Sequence, residues 1–165
     1  MVLLIDNYDS FSYNLVQLIG ELTKGQVKVI RNDEGTISNI RKMNPSHIIL
    51  SPGPGKPEDA GICEDVVRQL KGEYSILGVC LGHQSICEVF GAEVTYAKEL
   101  MHGKQSDMTI TEDVPIFKGI DGKFKGARYH SLSAKKDTIP HELKVIAIDE
   151  RDGEVMAVKH EKYEI

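Results

Sequence analysis

The chain has 165 residues, 41% hydrophobic and 27% charged, with 20 Lys+Arg against 25 Asp+Glu for a net charge of −5. These proportions exclude a disordered, collagenous or coiled-coil chain and allow one domain with a real core. The acidic balance argues against a nucleic-acid partner, because such domains present a basic face to phosphates.

In chain order, Val2–Ile5 is a continuous apolar run of the kind that makes a buried strand. Asp9 or Ser10 offers a cap for a helix in which Phe11, Leu15, Leu18, Ile19 and Leu22 recur at helical spacing, ending at Gly25. Val27–Ile30 predicts a second strand. Thr36–Met43 predicts a short helix, stopped at Asn44-Pro45 because proline disfavours helical geometry in the residue before it. His47–Leu50 is the third strand. After a Pro/Gly loop, Ile62, Val66 and Leu70 lie on one face of a helix. Tyr74–Val79 is the fourth strand, and Gly82–Phe90 a helix closed by Gly91. Four β-then-α units in succession predict an α/β domain with a mainly parallel, open sheet and helices on both faces. From Ala92 onward, short strands around Val94 and Tyr96, Met108 and Ile110, Val145–Ile148 and Val155–Val158 alternate with turn signals at Asp121-Gly122 and Asp152-Gly153, predicting an antiparallel or mixed half. No linker or repeat marks a boundary, so residues 1–165 read as one domain.

No apolar run approaches the roughly 20 residues that span a bilayer. Asp6 and Asp9 stand where a signal peptide needs basic and then apolar residues, so a cytoplasmic location is expected. Three cysteines, Cys63, Cys80 and Cys87, suit free thiols in a reducing compartment. No C-x-x-C or H-x-x-x-H pair occurs, and neither a metal nor a cofactor is expected.

Three loops stand where an open α/β sheet places its ligands, beyond the carboxyl ends of the strands. Gly78-Val79-Cys80-Leu81-Gly82 runs from a strand into a helix with cysteine at the turn, the thiol analogue of a G-x-S-x-G nucleophile elbow. Glycines admit the tight turn, the helix amino terminus favours a thiolate, and the Leu81 N–H is placed for an oxyanion. A buried cysteine in an ordinary strand-to-helix turn fits the same spacing. Ser51-Pro52-Gly53-Pro54-Gly55-Lys56-Pro57 suits an anion or oxyanion by its exposed peptide N–H groups, or is a plain turn; Pro57 spoils a Walker pattern. Arg128-Tyr129-His130-Ser131-Leu132, taken alone, reads as a solvated loop. Cys87 and Cys63 adjoin apolar helical residues and read as core. Asp6-Asn7-Tyr8-Asp9 could hold a ligand at the same edge, although capping explains Asp9. Lys135-Lys136 reads as solvated surface.

Taken together, DNYDSFSYNL (Asp6–Leu15), SPGPGKP (Ser51–Pro57), GVCLGHQ (Gly78–Gln84), HGK (His102–Lys104) and RYHSL (Arg128–Leu132), in this order, resemble the class I glutamine amidotransferases, most nearly the component II chains of anthranilate and aminodeoxychorismate synthases. The resemblance runs the length of the chain. It implies a flavodoxin-like glutaminase domain that hands ammonia from glutamine to a large chorismate-binding subunit. It implies Cys80 as nucleophile, backbone N–H groups of Leu81 and the Gly53-Pro54-Gly55 turn around the oxyanion, and Gln84, Ser131 and the Leu132 backbone at the amino-acid end of glutamine. The family's catalytic histidine and glutamate belong to an F-H-P-E-S segment that these residues do not contain. Lys159-His160-Glu161 matches the turn ahead of that segment, so the chain is expected to lack the last strand and helix and to be a weak glutaminase or inactive. The alternatives are a cysteine hydrolase for another substrate or a non-catalytic regulatory subunit.

Overall fold

The computed structural model describes all of residues 1–165. Val2–Asp6 (β1) is buried along its whole length, as a run of large apolar residues must be when both faces are covered. It pairs in parallel with Val27–Arg31 (β2) and His47–Leu50 (β3), and β3 pairs in parallel with Ser75–Gly78 (β4). The resulting order is β2-β1-β3-β4, the doubly wound order in which the chain reverses direction between β1 and β3.

Four helices connect and follow these strands: Ser12–Thr23 (α1), Ile37–Met43 (α2), Cys63–Leu70 (α3) and Leu81–Val89 (α4). Strand alternation sends Val2, Leu4 and Ile49 to one face, where Leu15, Val16 and Ile19 of α1 pack on them. Leu50 points the opposite way and meets Gly82 at the start of α4, so helices cover both faces. Thr36 caps α2 by accepting the Asn39 N–H at 3.2 Å, and left-handed Asn44 ends it before Pro45. These residues, Met1–Val89 together with Tyr163–Ile165, form one compact unit.

Two details of α1 differ from expectation. Neither Asp9 nor Ser10 is its cap: Phe11 holds that position without a side-chain bond, while Asp9 Oδ1 accepts the Phe11 N–H at 2.8 Å. The apolar stripe is also only partly used, because Leu18 is 56% and Leu22 78% exposed.

Phe90–Lys162 forms a second compact unit. Its strands are Val94–Tyr96 (β5), Lys104–Ile110 (β6), Lys123–Arg128 (β7), Leu132–Ala134 (β8), Leu143–Asp149 (β9) and Val155–His160 (β10). Antiparallel pairing orders one sheet β10-β9-β6-β7, and β5 pairs with β8 separately. The core of this unit combines Met108, Leu143, Ile146, Ala147 and Val155 with a buried arginine, Arg128. Strands β7 and β8 are not evident in the sequence; Lys-Phe-Lys-Gly-Ala-Arg lacks β-branched residues, and its pairing with β6 decides its conformation.

Candidate active site

The elbow forms at the carboxyl end of β4. Cys80 has φ 53°, the left-handed region, which an L side chain enters only when its surroundings enforce it. The flanking glycines show what enforces it. A Cβ on Gly78 would collide with the Gly82 carbonyl and lie 2.6 Å from the His83 nitrogen, and one on Gly82 would lie 2.6 Å from Leu50 Cβ. Helix α4 therefore starts directly behind the sulfur, on backbone too close for side chains. The sequence leaves open an ordinary turn with a buried cysteine; the structure shows positive φ at a half-buried thiol, a backbone geometry that a nucleophile elbow also has.

The thiol is not spontaneously ionised. Burial pushes its pKa above the ordinary value, aided by the charge of Asp9 and opposed by the Leu81 N–H. The helix terminus thus moderates the shift without reversing it, contrary to the thiolate expected from the motif.

The Ser51–Pro57 loop continues from β3 beside this elbow. A Cβ on Gly53 would lie 2.8 Å from Leu81 Cδ2 and 2.9 Å from the Asn7 carbonyl, so only glycine fits between β1's loop and the residue after Cys80. Gly55 has φ 82°, and the N–H groups of Gly53 and Gly55 bond nothing within the chain. Lys56 donates its N–H to Asp59 Oδ2 at 3.2 Å, tying the loop to a 3-10 turn at Pro57–Asp59. Pro54 contributes shape and no donor.

Gln84 is buried one turn into α4, its N–H bonded to the Cys80 carbonyl at 2.9 Å. Cys80, Leu81, Gln84 and the Gly53–Gly55 turn are thus all parts of the first unit. Cys87 is fully buried, its thiol pushed up to about 12 by burial, and His83 Nε2 lies 3.5 Å from its sulfur. Cys63 is buried as expected, but its thiol also donates to Asn7 Oδ1 at 3.2 Å.

The Asp6–Asp9 loop corrects the reading of an open ligand site. Asp6 and Asn7 are buried. Asp6 pairs with Arg31 and accepts from Ser12 Oγ at 2.7 Å; Asn7 bonds to Ser51, Asn32 and Cys63. The crevice between β1 and β3 is closed by the chain's own groups.

Ser131 and Leu132 belong to the second unit. Ser131 is exposed and its carbonyl accepts the Ala97 N–H at 2.9 Å, while Leu132 opens β8 opposite Tyr96. The solvated-loop reading of Arg128–Leu132 fails at its first residue. Arg128 is 2% exposed and its guanidinium meets Asp149 at 2.7 Å, Asp152 at 3.1 Å and Glu154. Its Nε donates to His130 Nε2 at 3.1 Å, and His130 Nδ1 lies 2.9 Å from the Leu132 carbonyl. The Nε2 acceptor role leaves Nδ1 to carry the proton, so His130 is neutral. Burial, then the Arg128 charge, lowers its pKa below the ordinary histidine value, outweighing the Leu132 carbonyl. No helix is long and apolar enough to cross a membrane.

Residues 3–165 match the family described as glutamine amidotransferase class-I, across both units. Over 160 residues the chain is 46% identical to the aminodeoxychorismate/anthranilate synthase component 2 of Bacillus subtilis, covering 97% of this chain and 81% of that protein. It is also 46% identical over 163 residues to the bifunctional protein TrpGD of Thermotoga maritima, covering 98% of this chain but only 27% of that longer protein. In three dimensions it resembles a glutamine amidotransferase of Thermotoga maritima, with a TM-score of 0.82 at 16% identity over 96% of this chain and 70% of that one, a likeness of fold. The chain belongs to the class I glutamine amidotransferase family.

Proposed function

We propose that this chain is the cytoplasmic glutaminase component of a chorismate-using synthase, releasing ammonia from glutamine for a larger subunit. The observation that carries the reading is Cys80 in left-handed backbone at the start of α4, beside a turn whose N–H groups are unengaged. The names of the relatives support the choice of partner.

In this reading the Cys80 thiolate attacks the γ-carboxamide carbon of glutamine. A C–S bond forms as the carbonyl electron pair moves to oxygen, where the N–H groups of Leu81, Gly53 and Gly55 stabilise the charge. Collapse of this intermediate breaks the C–N bond, and the leaving nitrogen takes up the proton that the thiol gave up and departs as ammonia. Water then hydrolyses the thioester to glutamate and restores the thiol. Gln84 holds the amino-acid end.

Because burial keeps the Cys80 proton on sulfur, turnover needs a base. His83 is turned to Cys87, and both ring nitrogens of His130 are engaged with Arg128 and Leu132. We assign neither as the base, and no H-P-E segment occurs in these residues. In this reading the described residues bind glutamine and supply the thiol at Cys80, and ammonia release assayed on residues 1–165 alone is expected to be slow. A glutamine-like chloroketone is expected to label Cys80 and be blocked by excess glutamine. Labelling indifferent to glutamine would remove the reading. Rapid ammonia release lost in Cys80→Ser would refute the assignment of neither histidine.

A further inference from the structure

The buried amide of Asn7 stands where the two central strands end, and its four hydrogen bonds join three other segments to the end of β1. Its backbone N–H donates to Ser51 Oγ at 2.9 Å and its Nδ2 to the Ser51 carbonyl at 2.8 Å. Its Oδ1 accepts from Asn32 Nδ2 at 2.9 Å and from the Cys63 thiol at 3.2 Å. The hydroxyl of Ser51 passes the constraint forward by donating to the Pro52 carbonyl at 2.6 Å. Gly53 then sits against Asn7 on one side and Leu81 on the other, with no room for a Cβ.

Asn7 thus grips both polar handles of Ser51, and the turn two residues later has a fixed position relative to the elbow. A buried amide with all these partners is costly to lose and rigid while it lasts. Oxyanion donors act through pre-organisation, so their value depends on being held before the charge forms.

We propose that Asn7 is a positioning residue for acyl transfer, clamping Ser51 so that the Gly53–Gly55 turn is held beside Cys80 before substrate arrives. The proposal rests on the glutaminase reading of Cys80 and that turn. The amide touches no reacting atom. Its effect falls on reactions that pass through an oxyanion and spares those that do not.

Two reagents separate these cases on the intact chain. With 4-nitrophenyl acetate, the Cys80 sulfur attacks the ester carbon, an oxyanion forms, and nitrophenolate leaves with the electron pair of the broken C–O bond. With iodoacetamide, sulfur displaces iodide directly and no oxyanion arises. Rates at the Cys80 peptide are read by mass spectrometry as the ratio of acylation to alkylation. Asn7→Asp keeps the acceptor and removes the Nδ2 donor, and is expected to lower that ratio by about a hundredfold, the scale of a misplaced or lost oxyanion donor. Ser51→Ala removes one oxygen and is expected to lower it by about tenfold. A ratio within about twofold of the parent in Asn7→Asp overturns the proposal, and Ser51→Ala decides by the same criterion if the Asp variant does not fold. The chloroketone on the parent chain reports separately: failure of glutamine to protect Cys80 refutes the glutaminase reading, whatever the ratio does.

Discussion

The two units bury different kinds of side chain. In the first, Leu3, Leu4, Ile5, Ile48, Leu50, Val66, Val67 and Leu70 are all fully inaccessible, and its buried polar groups are mostly neutral amides and hydroxyls that tie loops together. In the second, apolar residues share the interior with Arg128, Asp149 and Glu154. Burial of apolar surface holds the first unit together, a force nearly indifferent to pH. The second depends on an arginine and three acids, Asp149, Asp152 and Glu154, remaining charged together. A buried cluster of this kind adds little net stability over an apolar replacement, yet losing one member leaves uncompensated charge.

The largest effect that would break this contrast is removal of its single cation. Arg128→Met should destabilise the second unit by about 3–5 kcal/mol, measured by urea denaturation with a probe in β9. Leu4→Ala in the first unit should cost about 2–5 kcal/mol, with the same value at pH 5 and pH 8. Equal pH dependence for the two variants would erase the distinction.

Acid should sharpen it. Burial opposes the Asp149 charge, but Ser106, the N–H groups of Arg151 and Asp152, and Arg128 outweigh it and hold the carboxyl below its ordinary 3.8. Since the unfolded chain takes up that proton first, the contribution is complete above the ordinary value and drains away as pH falls through the folded one. Amides of β9 should lose hydrogen-exchange protection at a higher pH than those of β1.

Smaller effects concern the elbow. Alkylation of Cys80 should rise with pH and level off only above the ordinary thiol value of 9.0, because burial raises its pKa; a plateau near neutrality would contradict the buried-thiol picture. Cys80→Gly should be more stable than Cys80→Ala by about 1 kcal/mol, since only glycine adopts positive φ without strain, as thermal unfolding of the pair would show.

Much of the first unit is legible from residue order. β1, β2 and β3 fall within one residue of their sequence bounds, because apolar runs bounded by turns leave few alternatives, and the glycines around Cys80 announce a turn that only they can make. What escaped has a common cause. Asn7 and Ser51 look like loop residues, and nothing local shows that they meet across 44 positions. Arg128 looks solvated because its acidic partners lie 21 to 26 residues away. Leu18 and Leu22 continue an apolar stripe wider than the surface that α1 covers. Long-range pairing decides these positions, and periodicity does not record it.

The division of the chain also orders events in time. All four parallel strands and their helices lie within Met1–Val89, so a chain synthesised from its amino end carries Asn7, the Gly53–Gly55 turn and Cys80 before Ser131 and Leu132 have been made. Domains fold as units during synthesis. Cys80 and the loops around it are therefore made early, while Tyr163–Ile165, which belong to the same unit, come last; β4, which leads into Cys80, gains the bond from its Ile76 N–H to the Glu164 carbonyl at 2.8 Å only after the whole second unit has been made.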